Sequence, residues 1–178
     1  MNLYKSESGN YLFLICPSDH MEPVLHQICD AKAYFYTALG ANFNWDDTTQ
    51  KNLINFIESR NILQIVFVTK YTNHFYKKNI GTKNNTILKV HRNLSSLERT
   101  LPNYFLNESH PILRNMLLAS RHLGSQKKQL LETTSLGKTL KEHGIHIKSF
   151  VYHPENEAFY SPRIIEEKVL IHGKVSLN

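Results

Sequence analysis

Two short polar segments each follow an apolar run, and they carry the residue types best suited to chemistry. Cys16 ends the first run and His20 lies four residues on, while His74 follows the second run. A cysteine with a neighbouring histidine could act as a nucleophile with its general base. Thiolate and imidazole groups could also bind zinc, which prefers these ligands. Plainer roles stay open, because a cysteine at a strand end is often a small buried apolar residue.

The apolar runs before these residues predict the strands that position them. Residues 11–16 are continuously apolar, and residues 62–69 form a longer run that is rich in β-branched side chains. Runs of this length, bounded by turn residues, are typical of strands buried on both faces of a parallel sheet. Open α/β sheets bind ligands just outside the carboxyl ends of their strands. Both histidines therefore fall where such a sheet places its ligands.

The remaining pattern predicts one α/β domain that spans residues 1–178. Residues 33–37 and 145–152 are further strand candidates, and residues 158–160 pair back on the last strand as a C-terminal edge hairpin. Predicted helices cover residues 21–29, 46–60, 86–100, 111–132 and 135–143. This order predicts a central, mostly parallel sheet flanked by helices. Residues 77–86 are a predicted loop, and the apolar residues 169–171 predict an extra strand or a partner contact.

Composition narrows the class of protein. The 178 residues carry a formal charge of +6 and a pI near 9.3, but the basic residues are spread out and form no nucleic-acid-binding motif. No run is long enough to cross a bilayer, and the N-terminus lacks a secretory signal, so we expect a soluble cytoplasmic protein without membrane or nucleic-acid partners. Two cysteines in the cytosol predict neither a disulfide nor a four-cysteine zinc site.

Three segments, in order, resemble the β-carbonic anhydrase family. Residues 14–20 occupy the place of its Cys-x-Asp-x-Arg motif, residues 34–40 that of its Arg-Asn-Ala-Gly pattern, and residues 65–73 that of its Gly-His-x-x-Cys motif. Residues 145–160 are similar to the family's closing segment. The likeness lies in the order and spacing of the strands rather than in identical motif residues. It implies a β-carbonic-anhydrase-like fold over most of residues 10–160.

The resemblance also implies a zinc site, which this sequence replaces at most positions. The family holds Zn²⁺ with two thiolates and one imidazole, and the bound water becomes a hydroxide that attacks CO₂. In an ungapped comparison Cys16 is retained, but the histidine ligand becomes Lys70 and the second cysteine becomes Asn73. The Asp/Arg pair of the family becomes Ser18 and His20. We therefore expect a degenerate, non-catalytic member that needs no cofactor.

A small anion is the ligand that these replacements favour. An ammonium at Lys70 could attract bicarbonate or phosphate to the place that zinc occupies in the family. Hydrogen-bond donors from Thr69, Asn73 and Ser18 would then complete an anion site. The family's habit also implies a homodimer.

Two alternatives stay open. A shift of one residue puts His74 at the second cysteine position, so that Cys16 and His74, with His20 or Asp19 added, could form an altered zinc site of a carbonate dehydratase. The second alternative is an α/β module that binds a nucleotide or another phosphate compound. The sequence contains neither of the common glycine-rich phosphate loops, which counts against this module.

Overall fold

The computed structural model describes residues 9–29, 32–77, 89–102 and 110–175, with side chains as far as residue 169. Its strands are β1 (Asn10–Ile15), β2 (Ala33–Thr37), β3 (Ile62–Lys70), β4 (His146–His153) and β5 (Ala158–Tyr160). Its helices are α1 (Glu22–Ile28), α2 (Asp47–Ser59), α3 (Lys89–Glu98), α4 (Pro111–Leu131), α5 (Leu136–Glu142) and α6 (Pro162–Val175).

The strands form one five-stranded sheet in the order β2-β1-β3-β4-β5. The first four are parallel, and β5 pairs antiparallel with β4 as the predicted edge hairpin. The mostly parallel α/β sheet expected from the sequence is therefore confirmed. In the two central strands Ile15 is in register with Val68, so the residues that follow them meet at the carboxyl edge of the sheet.

The two faces of the sheet pack against different elements because successive side chains of a strand point to opposite sides. Leu12 and Leu14 of β1 lie in the larger apolar core, to which α2 to α6 contribute. Phe13 and Ile15 lie in a smaller core on the other face, with Leu25 of α1. Both cores bury whole side chains, which explains why β1 reads as a continuous apolar run rather than an alternating one.

The segment after β5 differs from our expectation. Residues 169–171 were predicted as a strand or a partner contact, but they lie within α6. Ile165 and Val169, four residues apart, are both buried on one side of this helix, which packs against α4. The strand prediction is wrong because a three-residue apolar run does not reveal its period. Most of the predicted loop at 77–86, and the start of the predicted helix at 86–100, lie outside the described residues.

Candidate functional site

The carboxyl ends of β1 and β3 bring together the residues that the sequence analysis singled out. The register of the two strands places Cys16 beside Thr69, and both residues are fully buried. A short 3-10 turn, Pro17–Asp19, follows Cys16, and a second one, His74–Tyr76, follows β3. These two turns decide which polar side chains face the edge of the sheet and which face outward.

Cys16 is held by two hydrogen bonds. Its Sγ accepts the main-chain N–H of Gly40 at 3.1 Å and lies 3.0 Å from Oγ of Ser18. Gly40 follows β2 in a turn with φ of +63°, a conformation that glycine adopts at little cost. A Cβ at this position would come within 2.5 Å of Cγ2 of Val90, so the close packing of this turn against α3 also requires a glycine.

Asp19 is the central polar group of the site. Its carboxylate is 2% exposed and accepts hydrogen bonds from Oγ1 of Thr69 at 2.7 Å, from the main-chain N–H of Lys70 at 3.1 Å and from Nδ2 of Asn73 at 2.8 Å. Burial raises the pKa of the Asp19 carboxyl, while these donors and the charge of Lys70 act in the opposite direction. Buried carboxylates need such partners, because an unpaired charge away from water is costly.

The partners of Asp19 are themselves fixed. The Asn73 amide donates to Asp19, while its Oδ1 accepts the main-chain N–H of Phe75 at 3.0 Å. The Tyr76 hydroxyl donates to Oγ1 of Thr69 at 3.4 Å, and burial raises the pKa of Tyr76. We call Asp19, Thr69, Asn73 and Tyr76, with the N–H of Lys70, the Asp19 network. Its hydrogen bonds connect the ends of β1 and β3.

A histidine from α4 reaches the same loop. His122 is fully buried, and its Nε2 donates to the carbonyl of Gly40 at 2.9 Å. Its Nδ1 is buried and has no hydrogen-bond partner in the described part of the chain. Burial lowers the pKa of His122, more than the carbonyls of Gly40 and Ala41 raise it. The main chain of Gly40 thus joins Cys16, through its N–H, to His122, through its carbonyl.

The other predicted site residues differ in exposure and in what they contact. Ser18 contacts only the sulfur of Cys16 among the groups of the site, and Lys70 contributes its N–H and its charge to Asp19. His20 and His74 are exposed, and the ring of His74 lies 4.0 Å from that of Phe75. The comparison shifted by one residue puts His74 at the second cysteine position. In the structure the side chain of Asn73, not that of His74, faces the site.

Sequence reasoning missed the roles of three residues. It weighed Asp19 only as an optional metal ligand, and it gave no role to Tyr76 or His122. Asp19 differs by one position from the place of the family's aspartate, so the motif comparison selected Ser18 instead. His122 lies 82 residues from its partner Gly40, and no local pattern connects two positions so far apart.

Comparisons with known proteins place this geometry in a known fold. No protein-family profile matches the sequence, and no curated protein matches it. Solved structures do match. The β-carbonic anhydrase CafD of the fungus Aspergillus fumigatus aligns with a TM-score of 0.72 at 16% identity, over 88% of this chain and 91% of CafD.

Further β-carbonic anhydrases align in the same way. CafA of the same fungus gives a TM-score of 0.69 at 12% identity, over 93% of this chain and 83% of CafA. A β-carbonic anhydrase of Sordaria macrospora, one of two described as tetrameric, gives 0.65 at 10% identity, over 88% of this chain and 81% of its own. The chain therefore has the β-carbonic anhydrase fold, as its resemblance to that family implied.

The residues at the carboxyl edge do not fit the zinc ion that this fold implies. Cys16 supplies one thiol, but an ammonium at Lys70 has no lone pair to offer a metal. Both polar atoms of the Asn73 amide are already engaged, and amide oxygen suits harder metals than zinc. Within the described residues, no three His, Cys, Asp or Glu side chains are placed to hold a metal ion together.

Proposed function

We propose that this chain is a carbonic-anhydrase-like protein that does not catalyse the zinc-dependent hydration of CO₂. The observation that carries the proposal is the buried Asp19 carboxylate, which accepts hydrogen bonds from Thr69, Lys70 and Asn73 at the edge where the family binds its metal. These contacts engage Asn73, which the ungapped comparison puts at a ligand position. The Asp19 network thus gives this edge of the sheet a structural role in place of a catalytic one.

The network also bears on the predicted anion site. Bicarbonate or phosphate was expected to bind to Lys70, Asn73, Thr69 and Ser18. Two of those donors already serve an internal anion, the Asp19 carboxylate. An external anion at this place would have to compete with Asp19, and an anion site there stays a prediction.

The experiment is a combined measurement of metal content and CO₂ hydration. Protein purified without an affinity tag is incubated with zinc, freed of excess by gel filtration, and assayed for metal by elemental analysis and for hydration by stopped flow. CafD serves as the positive control. We expect no retained zinc and no hydration above the buffer rate. Retention of about one zinc per chain, with hydration that disappears in Cys16→Ser, would overturn the proposal.

The zinc-site alternative makes a different prediction in the same assay. If the shifted comparison is right, zinc is retained and His74→Ala releases it, while Asn73→Ala does not. His74 is exposed, so its replacement should leave the fold intact and any loss of zinc reports on coordination. Our proposal predicts no zinc in any of these variants.

We also propose that the chain self-associates and works in the cytoplasm. The sheet face covered by α1 carries partly buried aromatic residues, Phe35, Phe150 and Phe159, that a second copy could cover. The tetrameric Sordaria macrospora enzymes support assembly within this fold. Sedimentation equilibrium tests assembly, and a monomer at micromolar concentration would contradict it.

The location in the cytoplasm is supported by the cysteines. Cys16 and Cys29 are free thiols, as a reducing compartment favours. None of the helices in the described ranges combines the length and apolarity of a membrane span.

A further inference from the structure

The longer of the two edges of the sheet is β2. Within the described part of the chain this strand pairs only with β1, so the N–H and C=O groups on its outer side have no main-chain partner there. A free strand edge is a template for pairing with another chain, and proteins usually block it with proline, charged side chains or a bulge. The sequence of β2, Ala-Tyr-Phe-Tyr-Thr, has neither proline nor charge, and its register with β1 is unbroken. The opposite edge strand, β5, has only three residues, so β2 is the edge that best accepts a further strand.

A cavity of about 210 Å³ lies beside this edge, between β2 and α2. Tyr36 of β2 and Leu53 and Phe56 of α2 give it an apolar lining, while Thr49 and Asn52 add polar groups. Asn52 is exposed, so the cavity can be entered from solvent. Pockets for drug-sized molecules measure about 300–1,000 Å³, whereas a cavity of about 150 Å³ already holds a benzene ring. The size of this cavity therefore fits one large apolar side chain.

Two cations lie at the start of β2. The ammonium of Lys32 is 5.7 Å, and the guanidinium carbon of Arg60 is 5.8 Å, from the centre of the Tyr34 ring. Lys32 and Arg60 are both exposed, and neither forms an ion pair with a carboxylate of the described residues. The positive potential at this end of the strand favours an acidic side chain in a partner that pairs with β2.

The cations and the cavity lie on the same face of the sheet, because side chains two residues apart in a strand point to the same side. Tyr34 packs edge-on against Phe56 of α2, with ring centres 5.2 Å apart, and Tyr36 lines the cavity together with the same Phe56. A strand added beside β2 would place one residue at the cavity and another, two positions away, beside Lys32 and Arg60. The surface therefore selects an apolar and an acidic residue at that spacing.

We propose that β2 binds an extended peptide segment of another protein as a sixth strand of the sheet. One apolar side chain of the peptide fills the cavity, and an acidic side chain two residues away pairs with Lys32 and Arg60. A peptide fits better than a small molecule, because the edge offers main-chain donors and acceptors along five residues while the cavity holds only one side chain. None of the residues that line the cavity belongs to the Asp19 network, so the inference does not depend on the proposed function.

The first test is a calorimetric titration of the full chain with blocked heptapeptides. Two of them have the same composition in opposite order, Thr-Thr-Leu-Thr-Asp-Thr-Thr and Thr-Thr-Asp-Thr-Leu-Thr-Thr, since an added strand can run in either direction. We expect saturable binding of at least one, and the tighter one gives the direction. Replacing its leucine by alanine should weaken binding by at least about tenfold, because the cavity then stays unfilled. Binding of neither peptide at millimolar concentration, or equal binding of the alanine peptide, would overturn the proposal.

Two variants of α2 locate the apolar side chain. Asn52→Phe fills the cavity from an exposed helix position, where asparagine and phenylalanine have similar helix propensities. Asn55→Phe makes the same change at an exposed position that does not line the cavity, and it is the matched control. We expect equal stability of both variants in urea, natural affinity in Asn55→Phe and a loss of at least about tenfold in Asn52→Phe. Equal affinities would show that the peptide binds elsewhere.

A double-mutant cycle tests the acidic residue. Lys32→Met keeps the aliphatic stem and removes the charge, and the matching peptide carries asparagine in place of aspartate. Exposed ion pairs contribute little, so we expect Lys32→Met to weaken the aspartate peptide by about two- to fivefold and to leave the asparagine peptide unchanged. The same effect of Lys32→Met on both peptides would contradict the charge pairing.

Hydrogen exchange distinguishes strand addition from binding in the cavity alone. An added strand protects the outward N–H groups of residues 33–37, and their exchange should slow by about tenfold when the peptide concentration is ten times its Kd. Exchange over residues 158–160, at the other edge, should stay the same. Unchanged exchange over residues 33–37 with the peptide bound would mean that no strand is added, and the proposal would be wrong.

A second copy of the chain is the competing occupant of this edge. The self-association proposed above uses the sheet face that α1 covers, whereas Leu53 and Phe56 of the cavity belong to α2 on the other face. Sedimentation equilibrium of the natural chain and of Asn52→Phe separates the two occupants. We expect the same association state in both. A dimer that becomes a monomer only in Asn52→Phe would show that a second copy covers β2, which rules out the peptide as its partner.

Discussion

At the residue scale, the Asp19 carboxylate is the group around which the edge of the sheet is organised. Its partners come from β3 and from the turn that follows, so one side chain connects segments 50 or more residues apart. A carboxylate is the side chain that can accept several hydrogen bonds without donating any. Its neighbours at this edge, the hydroxyl of Thr69 and the amide of Asn73, are all arranged as donors toward it.

Replacing Asp19 by its isosteric amide should therefore be costly. In Asp19→Asn, the new Nδ2 group faces Nδ2 of Asn73, and Asn73 cannot rotate its amide without losing the bond from Phe75. A buried donor without an acceptor costs about 1–3 kcal/mol. We expect the free energy of unfolding in urea to fall by that amount. The exposed Glu58→Gln tests the same chemical change and should stay within about 0.5 kcal/mol of the natural chain.

Exchanging the two residues provides the decisive control. In Asp19→Asn/Asn73→Asp, the amide at position 19 donates to the carboxylate at position 73, which still accepts from Phe75. The amide oxygen at position 19 accepts from Thr69 and Lys70. Each group again has a partner, so the double variant should be more stable than Asp19→Asn alone. Additive losses would contradict this arrangement of donors.

At the element scale, the turn after β2 connects the site to the helices. Gly40 donates to Cys16 and accepts from His122 of α4, and its positive φ permits both contacts at once. The loop, the strand end and the helix are therefore coupled through the main-chain N–H and C=O of one residue. Any change that moves Gly40 disturbs two buried polar groups.

Two glycines allow the free-energy cost of placing a side chain in that turn to be divided into a backbone part and a steric part. Gly40 and Gly144 have nearly the same φ, +63° and +61°, but a Cβ at Gly144 meets nothing within 4 Å. Gly144→Ala therefore measures the cost of the left-handed conformation alone, about 1 kcal/mol. Gly40→Ala adds the clash with Val90 and should be less stable than Gly144→Ala by at least about 1 kcal/mol. Equal losses in urea would show that the loop moves freely.

The helix partner of that turn predicts a pH dependence. The pKa of His122 is lowered in the folded protein from the usual histidine value of 6.5. Below pH 6.5 the unfolded chain therefore binds a proton at this residue more readily than the folded protein does. Stability should therefore fall as the pH is lowered through this range, and it should be recovered above it. His122→Gln keeps a donor for Gly40 but does not titrate. We expect a smaller loss of unfolding free energy between pH 7 and pH 5 in this variant, and equal slopes would contradict a buried neutral imidazole.

Elements were easier to predict from sequence than the groups at their ends. The runs at residues 11–16 and 62–69 predict β1 and β3 because a strand buried on both faces must be apolar throughout. The facing of a polar residue depends instead on a single turn. The 3-10 turn Pro17–Asp19 points Asp19 inward and Ser18 outward, and no hydrophobic pattern records that choice. For α6, two buried residues on one helix side were too weak a signal.

At the scale of the whole molecule, the fold and the chemistry of its relatives are separable. The two cores on either face of the sheet consist mainly of apolar side chains from β1, β3, β4 and the helices, and partly buried residues of β2 and β5 pack against them. Burial of this kind supplies most of the favourable free energy of folding and needs no metal. The β-carbonic anhydrase fold is thus retained by this chain at 16% identity to CafD.

This separation predicts that zinc does not affect the stability of the natural chain. A metal that binds only the folded state stabilises it, by about 2.7 kcal/mol when the free metal concentration is a hundred times its Kd. This stabilisation raises the melting temperature. We expect no shift with zinc or with a chelator. The variant Lys70→His/Asn73→Cys, which restores the family's ligand types beside Cys16, should gain a zinc-dependent shift. The matched Tyr71→His/His74→Cys should not, because position 74 is exposed. A zinc-dependent shift in the natural chain would mean that its buried edge holds a metal after all, and that the Asp19 network rearranges to admit it.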